Sequence, residues 1–303
     1  MDDRTKYIGS SDIATILNLN PHQTILELWA EKTGQIPSKD LSDNEAVEWG
    51  TRLEKSGAIA DKFAERHKVK LIAYKKRFIH PDYPFFTCEL DNIIAGTDEI
   101  VEIKTTSLWK YRDWQKPNDV PPQYICQVMW QLGISGRKVG WIAVLVGGQK
   151  YLEKKIEFDK KIFDEMVRRA VVFWQDFILK KVMPATISAN DSDVLYQLFQ
   201  PVKVGEEVNL GDELDKIAEN IDSQKADLRV LEKEIEQQEN LIKSKLGDKE
   251  IGLGNNWKAT WKLQVQKRLN MEMLKREYSQ IYEECLKSIE SRVLRISERK
   301  EIK

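Results

Sequence analysis

Cys88-Glu89-Leu90-Asp91-Asn92-Ile93-Ile94-Ala95-Gly96-Thr97-Asp98-Glu99-Ile100-Val101-Glu102-Ile103-Lys104 reads as a β-hairpin that gathers two carboxylates and an amine. A turn centred between Gly96 and Thr97 sets Ile94 against Glu99, Ile93 against Ile100, Asn92 against Val101 and Asp91 against Glu102. Side chains opposed on antiparallel strands have Cβ atoms about 5 Å apart, so both acids reach one hard cation. Lys104, two residues beyond Glu102, shares its face. Two acids and a lysine projecting together from half-buried strands are costly unless a metal or a substrate charge compensates them. The combination points to magnesium-dependent phosphodiester chemistry. The plainer reading is a surface salt bridge on an edge hairpin.

Working outward, the 303 residues allow one large domain or two smaller ones with a core that needs no staples. A formal net charge of -1 makes any nucleic-acid surface local rather than global. Cys88, Cys126 and Cys285 show neither pairing nor zinc spacing, and there is no leader pattern and no run of about 18 apolar residues. A reducing, cytoplasmic setting and no membrane partner are expected. His22, His67 and His80 have no companions at ligand spacing.

Residues 1–186 alternate helical and strand patterns, 187–210 read as a linker, and 211–303 are dominated by charged heptads. In the first part Ser10 is placed to cap a helix carrying Ile13, Ile16 and Leu17, and Thr24-x-x-Glu27 is a capping box for a helix that stops at Gly34. One long helix is predicted from about Asn44 to Arg66, with Ala46, Trp49, Leu53, Ala60 and Phe63 on its apolar stripe. Glu54 stands just off that stripe between Gly50 and Gly57, glycines that suggest close approach to a sheet or ligand. Strands around 70–79, the 85–104 hairpin, a helix over 122–134, a second hairpin over 139–158 across Gly147-Gly148 and a helix over 162–178 complete an α/β core.

In the last part Leu214, Ile221, Leu228, Ile235 and Ile242 recur every seven residues, with Ile217, Gln224, Leu231, Gln238 and Lys245 at the alternate seam positions. That is a coiled-coil helix, and a helix over 271–289 is its expected mate in an αα-hairpin arm. Trp257–Val265 and Arg292–Ile296 alternate as strands and are expected to form a small β element there.

Six motifs occur in the order seen in YqaJ-type viral recombinases: Ile8-Gly9-Ser10-Ser11-Asp12-Ile13; Pro21 followed by Leu26-Glu27-Leu28-Trp29; Trp49-Gly50-x-x-Leu53-Glu54; Glu89-Leu90-Asp91; Val101-Glu102-Ile103-Lys104-Thr105-Thr106; and Pro122-x-Tyr124-x-x-Gln127-Val128. The chain resembles that family over about residues 4–180, and the family is similar to phage lambda exonuclease within the PD-(D/E)XK nuclease superfamily. The resemblance implies a restriction-endonuclease-like mixed central sheet flanked by helices. By the same resemblance Asp91 and Glu102 hold Mg²⁺, as a pair of ions replaceable by Mn²⁺, with the Ile103 main-chain carbonyl as a further ligand and Glu54 acting directly or through a water. Lys104 orients or activates the attacking water, Gln127 positions the lysine or the scissile phosphate, and Arg4 with Ser11 holds a 5′-phosphate. Two positions depart from the pattern: Leu90 replaces the proline of the superfamily name, and Met129 stands where relatives often carry a second glutamine.

Three further groups are candidate DNA contacts. Ser10 and Ser11 at a helix start form an anion site or an ordinary cap. Trp109, Tyr111 and Trp114, interleaved with Lys110 and Arg112, either stack on bases or pack as core. Lys75-Lys76-Arg77, Lys154-Lys155, Arg168-Arg169 and Lys180-Lys181 are backbone contacts or solvated pairs. The function so implied is a 5′→3′ exonuclease on double-stranded DNA ends that leaves 3′ single-stranded tails. A RecT or Red-beta type annealing protein is the implied partner, and a homo-oligomer, a ring-shaped trimer, the implied assembly. The alternatives are an endonuclease or repair nuclease on the same core and a non-catalytic recombination scaffold.

Overall fold

The computed structural model describes residues 4–297 apart from 75, 117, 118 and 186, and the chain divides into two units, Met1–Val202 and Lys203–Lys303. In the first unit α1 (Ile13–Ile16), α2 (Ile25–Lys32), α3 (Glu45–Ser56) and α4 (Ala58–His67) precede the short strands β1 (Leu71–Ala73), β2 (Phe78–Ile79) and β3 (Thr87–Cys88). Next come β4 (Asn92–Ile94), β5 (Glu99–Thr106), α5 (Pro122–Ser135), β6 (Val139–Val146), β7 (Lys150–Glu157) and α6 (Lys160–Val172).

The Gly96 turn produces the expected register, with Asn92 opposite Val101 and Ile93 opposite Ile100. Five strands form a mixed sheet in the order β1-β4-β5-β6-β7, in which only β5 and β6 run parallel, linked across α5. Apolar residues cover both faces of the centre. Ile100, Ile142, Val144 and Val146 meet the core built on α1, α2, α5 and α6, while Val101, Ile103 and Ala143 meet Ile59 and Phe63 of α4. Glu102 and Lys104 alternate with the second set, so they lie on the α5 face of the middle strand.

Four local expectations are corrected. Ser10 caps nothing, because the chain turns once more and Asp12 precedes α1, its carboxylate accepting instead from the Gly9 N–H at 2.9 Å. The long helix breaks at Gly57, whose φ of 75° is left-handed; that glycine ends α3 and starts α4 on a new axis. As a result α3 buries no residue and Trp49 is 59% exposed rather than part of a stripe. The last helix changes at Phe173 into a π-helical turn, Phe173–Ile178, whose wider turn keeps Phe173, Trp174 and Ile178 all inward. The Thr24 box forms as expected, the hydroxyl accepting from the Glu27 N–H at 3.1 Å. A short helix, α7 (Ser192–Leu198), lies within the segment read as linker.

The second unit holds α8 (Gly211–Leu246), whose seam residues Leu214, Leu228 and Ile235 are exposed. Its β element pairs β8 (Ile251–Leu253) with β9 (Lys258–Thr260). Arg292–Ile296 is irregular, correcting the expected pairing: a partner a few residues away costs less closure entropy than one about 30 away. The predicted mate helix is two pieces, α9 (Met271–Glu277) and α10 (Ser279–Cys285), separated at Tyr278, whose φ of -133° is not helical.

Candidate active site

The middle of β5 carries a carboxylate that is almost fully enclosed and held by three donors. Glu102 is 3% exposed. Its Oε1 accepts from Lys104 Nζ at 2.5 Å and from Gln127 Nε2 at 2.5 Å, and its Oε2 accepts from Gln131 Nε2 at 2.8 Å. Gln127 and Gln131 stand one turn apart on α5, so a single helix face delivers both amides. Gln131 Nε2 also donates to the Glu89 carbonyl at 3.0 Å, tying the segment that precedes Asp91 to the strand that carries Glu102.

Asp91 sits at the entry to β4, one step beyond the Asn92–Val101 pair, and its Oδ2 accepts from the Ile103 N–H at 2.7 Å. Burial raises its pKa to about 8, helped by the Glu102 charge and by Glu54, against the opposing pull of Lys104 and the Ile103 N–H. Burial on its own lowers the Lys104 ammonium, but Glu102 and Asp91 together outweigh it and leave its pKa above the ordinary value. The lysine Nζ lies 5.7 Å from the centre of the Tyr124 ring.

One ammonium thus faces two acids, and the second acid holds a proton at neutral pH in the absence of another cation. Among the described residues no three His, Cys, Asp or Glu side chains cluster as a self-sufficient metal cage. The donors are two carboxylates, hard oxygen ligands that suit Mg²⁺ or Mn²⁺, ions that commonly keep several waters and take only one or two protein carboxylates. The residues fit such an ion, which would displace the Asp91 proton.

The remaining sequence candidates divide. Glu54, exposed near the end of α3, is close enough to raise the Asp91 pKa. Gly50, one turn earlier, explains the approach: a Cβ there would lie 3.2 Å from Thr105 Oγ1 on β5. Arg4 and Ser11 come together, the guanidinium Nη2 donating to the hydroxyl at 3.1 Å. Ser10 makes no cap. Trp109 is 93% exposed. Tyr111 lies under Lys150, whose Nζ is 3.9 Å from its ring centre. Trp114 is corrected as a DNA contact: it is 1% exposed and stacks on Tyr124 at 5.5 Å, so it backs the wall beneath Lys104. Arg77, Lys155, Arg168, Arg169 and Lys180 form ion pairs with neighbouring acids, and Lys75 lies outside the described residues.

Gln131 was missed by sequence reasoning. Met129 does not leave the second amide vacant; it turns into the core at 2% exposure, and the amide arrives from position 131. The signal was present as spacing, since a residue four beyond Gln127 shares its helix face whereas one two beyond does not.

The YqaJ-like viral recombinase domain matches residues 1–138. The chain is 31% identical over 299 residues to the uncharacterized protein YqaJ of Bacillus subtilis (strain 168), covering 98% of this chain and 92% of that protein. Among solved structures it is similar to an alkaline exonuclease from Laribacter hongkongensis, with a TM-score of 0.48, 18% identity and coverage of 58% of this chain and 90% of that one. A phage-related exonuclease from Haemophilus somnus 129PT gives a TM-score of 0.45 and 11% identity, covering 58% of this chain and 96% of that one.

Proposed function

The chain belongs to the YqaJ-like viral recombinase family, and from that premise we propose that it is a divalent-metal-dependent deoxyribonuclease that degrades one strand of duplex DNA from a 5′ end, leaving 3′ single-stranded tails. The observation that carries this reading is the union of Asp91, Glu102, Lys104 and Gln127 in one half-enclosed site, with Glu102 fixed by three donors. A bound Mg²⁺ supplies Lewis acidity and a lowered water pKa. Glu102, locked by two amides and an ammonium, keeps its oxygens in place without reorganising as charge develops. Lys104 sets a fixed positive charge beside the scissile phosphate and orients the attacking water. Asp91, as a carboxylate, would be the second anionic ligand holding such an ion beside Glu102. Glu54, exposed on α3, contributes from the open side.

Arg4 and Ser11 bind the terminal phosphate, and Trp109 offers a stacking surface for an exposed base. The 3′ tails are the substrate of an annealing protein of the RecT or Red-beta type, and a ring-shaped homotrimer would retain the duplex during successive cuts. The test compares linear duplex with a 5′-phosphate, linear duplex with a 5′-hydroxyl and covalently closed circles, all with Mg²⁺. Loss of 5′-terminal label first, intact circles and a preference for phosphorylated ends are expected. Free cutting of circles would replace this reading with an endonuclease, absence of cutting of any substrate by the parent would replace it with a scaffold, and full activity of Asp91→Ala would overturn the assigned site.

A further inference from the structure

Outside the candidate active site Lys32, at the end of α2, is a buried charge, 8% exposed, with three partners. Its ammonium donates to the Arg4 carbonyl at 2.7 Å and the Tyr7 carbonyl at 2.8 Å, and pairs with Asp12 Oδ2 at 2.8 Å. Asp12 Oδ2 also accepts from the Gly9 N–H at 2.9 Å. One cation therefore fastens the beginning, middle and end of the segment that bears Arg4 and Ser11.

That segment is also joined to the chain that leads into Asp91. The Ile8 N–H donates to the Phe85 carbonyl at 2.8 Å, and the Thr87 N–H donates to the Ile8 carbonyl at 2.9 Å. Thr87–Cys88 is β3, which continues through Glu89 and Leu90 to Asp91. A side-chain link runs alongside: the Arg77 guanidinium lies 4.3 Å over the Tyr7 ring and donates to Glu89 Oε1 at 2.8 Å. The Arg4–Ser11 pair and the Asp91 carboxylate are thus mounted on one hydrogen-bonded frame, and Lys32 is the member that holds the Arg4 end of it.

We propose that Lys32 is a positioning residue that fixes the span between a terminal phosphate at Arg4 and Ser11 and the cutting carboxylates, setting both the preference for phosphorylated ends and the length of the first product. The inference rests on the exonuclease reading above. The chemistry is specific to lysine: three donors radiating from one nitrogen meet two carbonyls and a carboxylate arriving from different directions, which a planar guanidinium does not reproduce.

The full chain and the Lys32→Met and Arg4→Ala variants are assayed with Mg²⁺ on matched linear duplexes ending in 5′-phosphate or 5′-hydroxyl, with the first products sized on a sequencing gel. For Lys32→Met the ratio of phosphate-end to hydroxyl-end cleavage is expected to fall about tenfold, toward that of Arg4→Ala, through KM on phosphate ends. The hydroxyl-end rate stays within about threefold of the parent, and the first product broadens from one length to a mixture. An unchanged ratio with one product length overturns the inference while leaving the exonuclease reading intact, as does an equal loss on both ends. A parent that cuts both ends equally overturns the phosphate role of Arg4 and Ser11 and this inference with it. Should Lys32→Met not fold, Asp12→Asn keeps an acceptor for Gly9 and removes the ion pair; a parental ratio in that variant is equally fatal.

Discussion

Replacing Asp91 by asparagine should make the metal-free protein more stable, and increasingly so as the pH rises. The carboxyl has a pKa of about 8 in the folded chain against an ordinary value of 3.8. A folded protein that holds a proton the unfolded chain has released loses stability as pH rises through that window, because ionisation favours the unfolded state. At about 1.36 kcal/mol per pH unit, the penalty grows by about 3 kcal/mol between pH 5 and pH 7.5. Asparagine does not ionise, and its side-chain oxygen still accepts from the Ile103 N–H. Urea unfolding of parent and Asp91→Asn in chelator, followed by tryptophan fluorescence at both pH values, measures the gap directly. The variant should gain at least about 1 kcal/mol on the parent over that interval, and added Mn²⁺ should stabilise the parent alone. A gap that is constant or narrows with pH refutes the argument that burial and Glu102 hold the proton on Asp91.

Other substitutions separate roles that look alike on paper. Gln131→Leu strands Glu102 Oε2 and the Glu89 carbonyl, so it should cost about 2 kcal/mol in urea unfolding and weaken Mn²⁺ binding, read by calorimetry without DNA, about tenfold. Trp109→Ala should leave stability within about 0.5 kcal/mol yet weaken the binding of single-stranded overhangs by about 1–3 kcal/mol, whereas Trp114→Ala should cost about 3–5 kcal/mol in folding. Gly57→Ala forces a left-handed φ on a residue with a Cβ and should destabilise by about 1–2 kcal/mol, shown by a lower thermal midpoint.

The hairpin and its register were legible because a turn glycine and strict alternation leave one pairing that buries Ile100 while opposing Asp91 to Glu102. The second hairpin was legible for the same reason, with Gly147 and Gly148 both at positive φ between β6 and β7. Helix boundaries were harder. Asn44 to Arg66 keeps a helical period across Gly57, so periodicity alone reads one helix where the backbone makes two. Trp49 then falls on the outside of the first piece. Aromatic residues were ambiguous by nature: Trp109 and Trp114 share a segment and a composition, and only tertiary packing sends one to solvent and the other beneath Tyr124. Lys32 leaves no pattern in the sequence, because two of its partners are main-chain carbonyls and none of the three is near it in sequence.

The parallel pairing of β5 with β6 has a bearing on how the molecule can be dissected. Glu99 to Thr106 has β6 as its partner on one side only after α5 has crossed over, so a fragment stopping before Val139 would present that side as a bare ladder of amides and carbonyls. Such a piece retains every acidic residue of the site and the glutamines over it, yet it offers an open seam to any neighbouring chain. Excising the stretch that holds the chemistry is therefore expected to give aggregates, and a minimal folded piece has to extend at least through Glu157, where the last strand of the sheet ends.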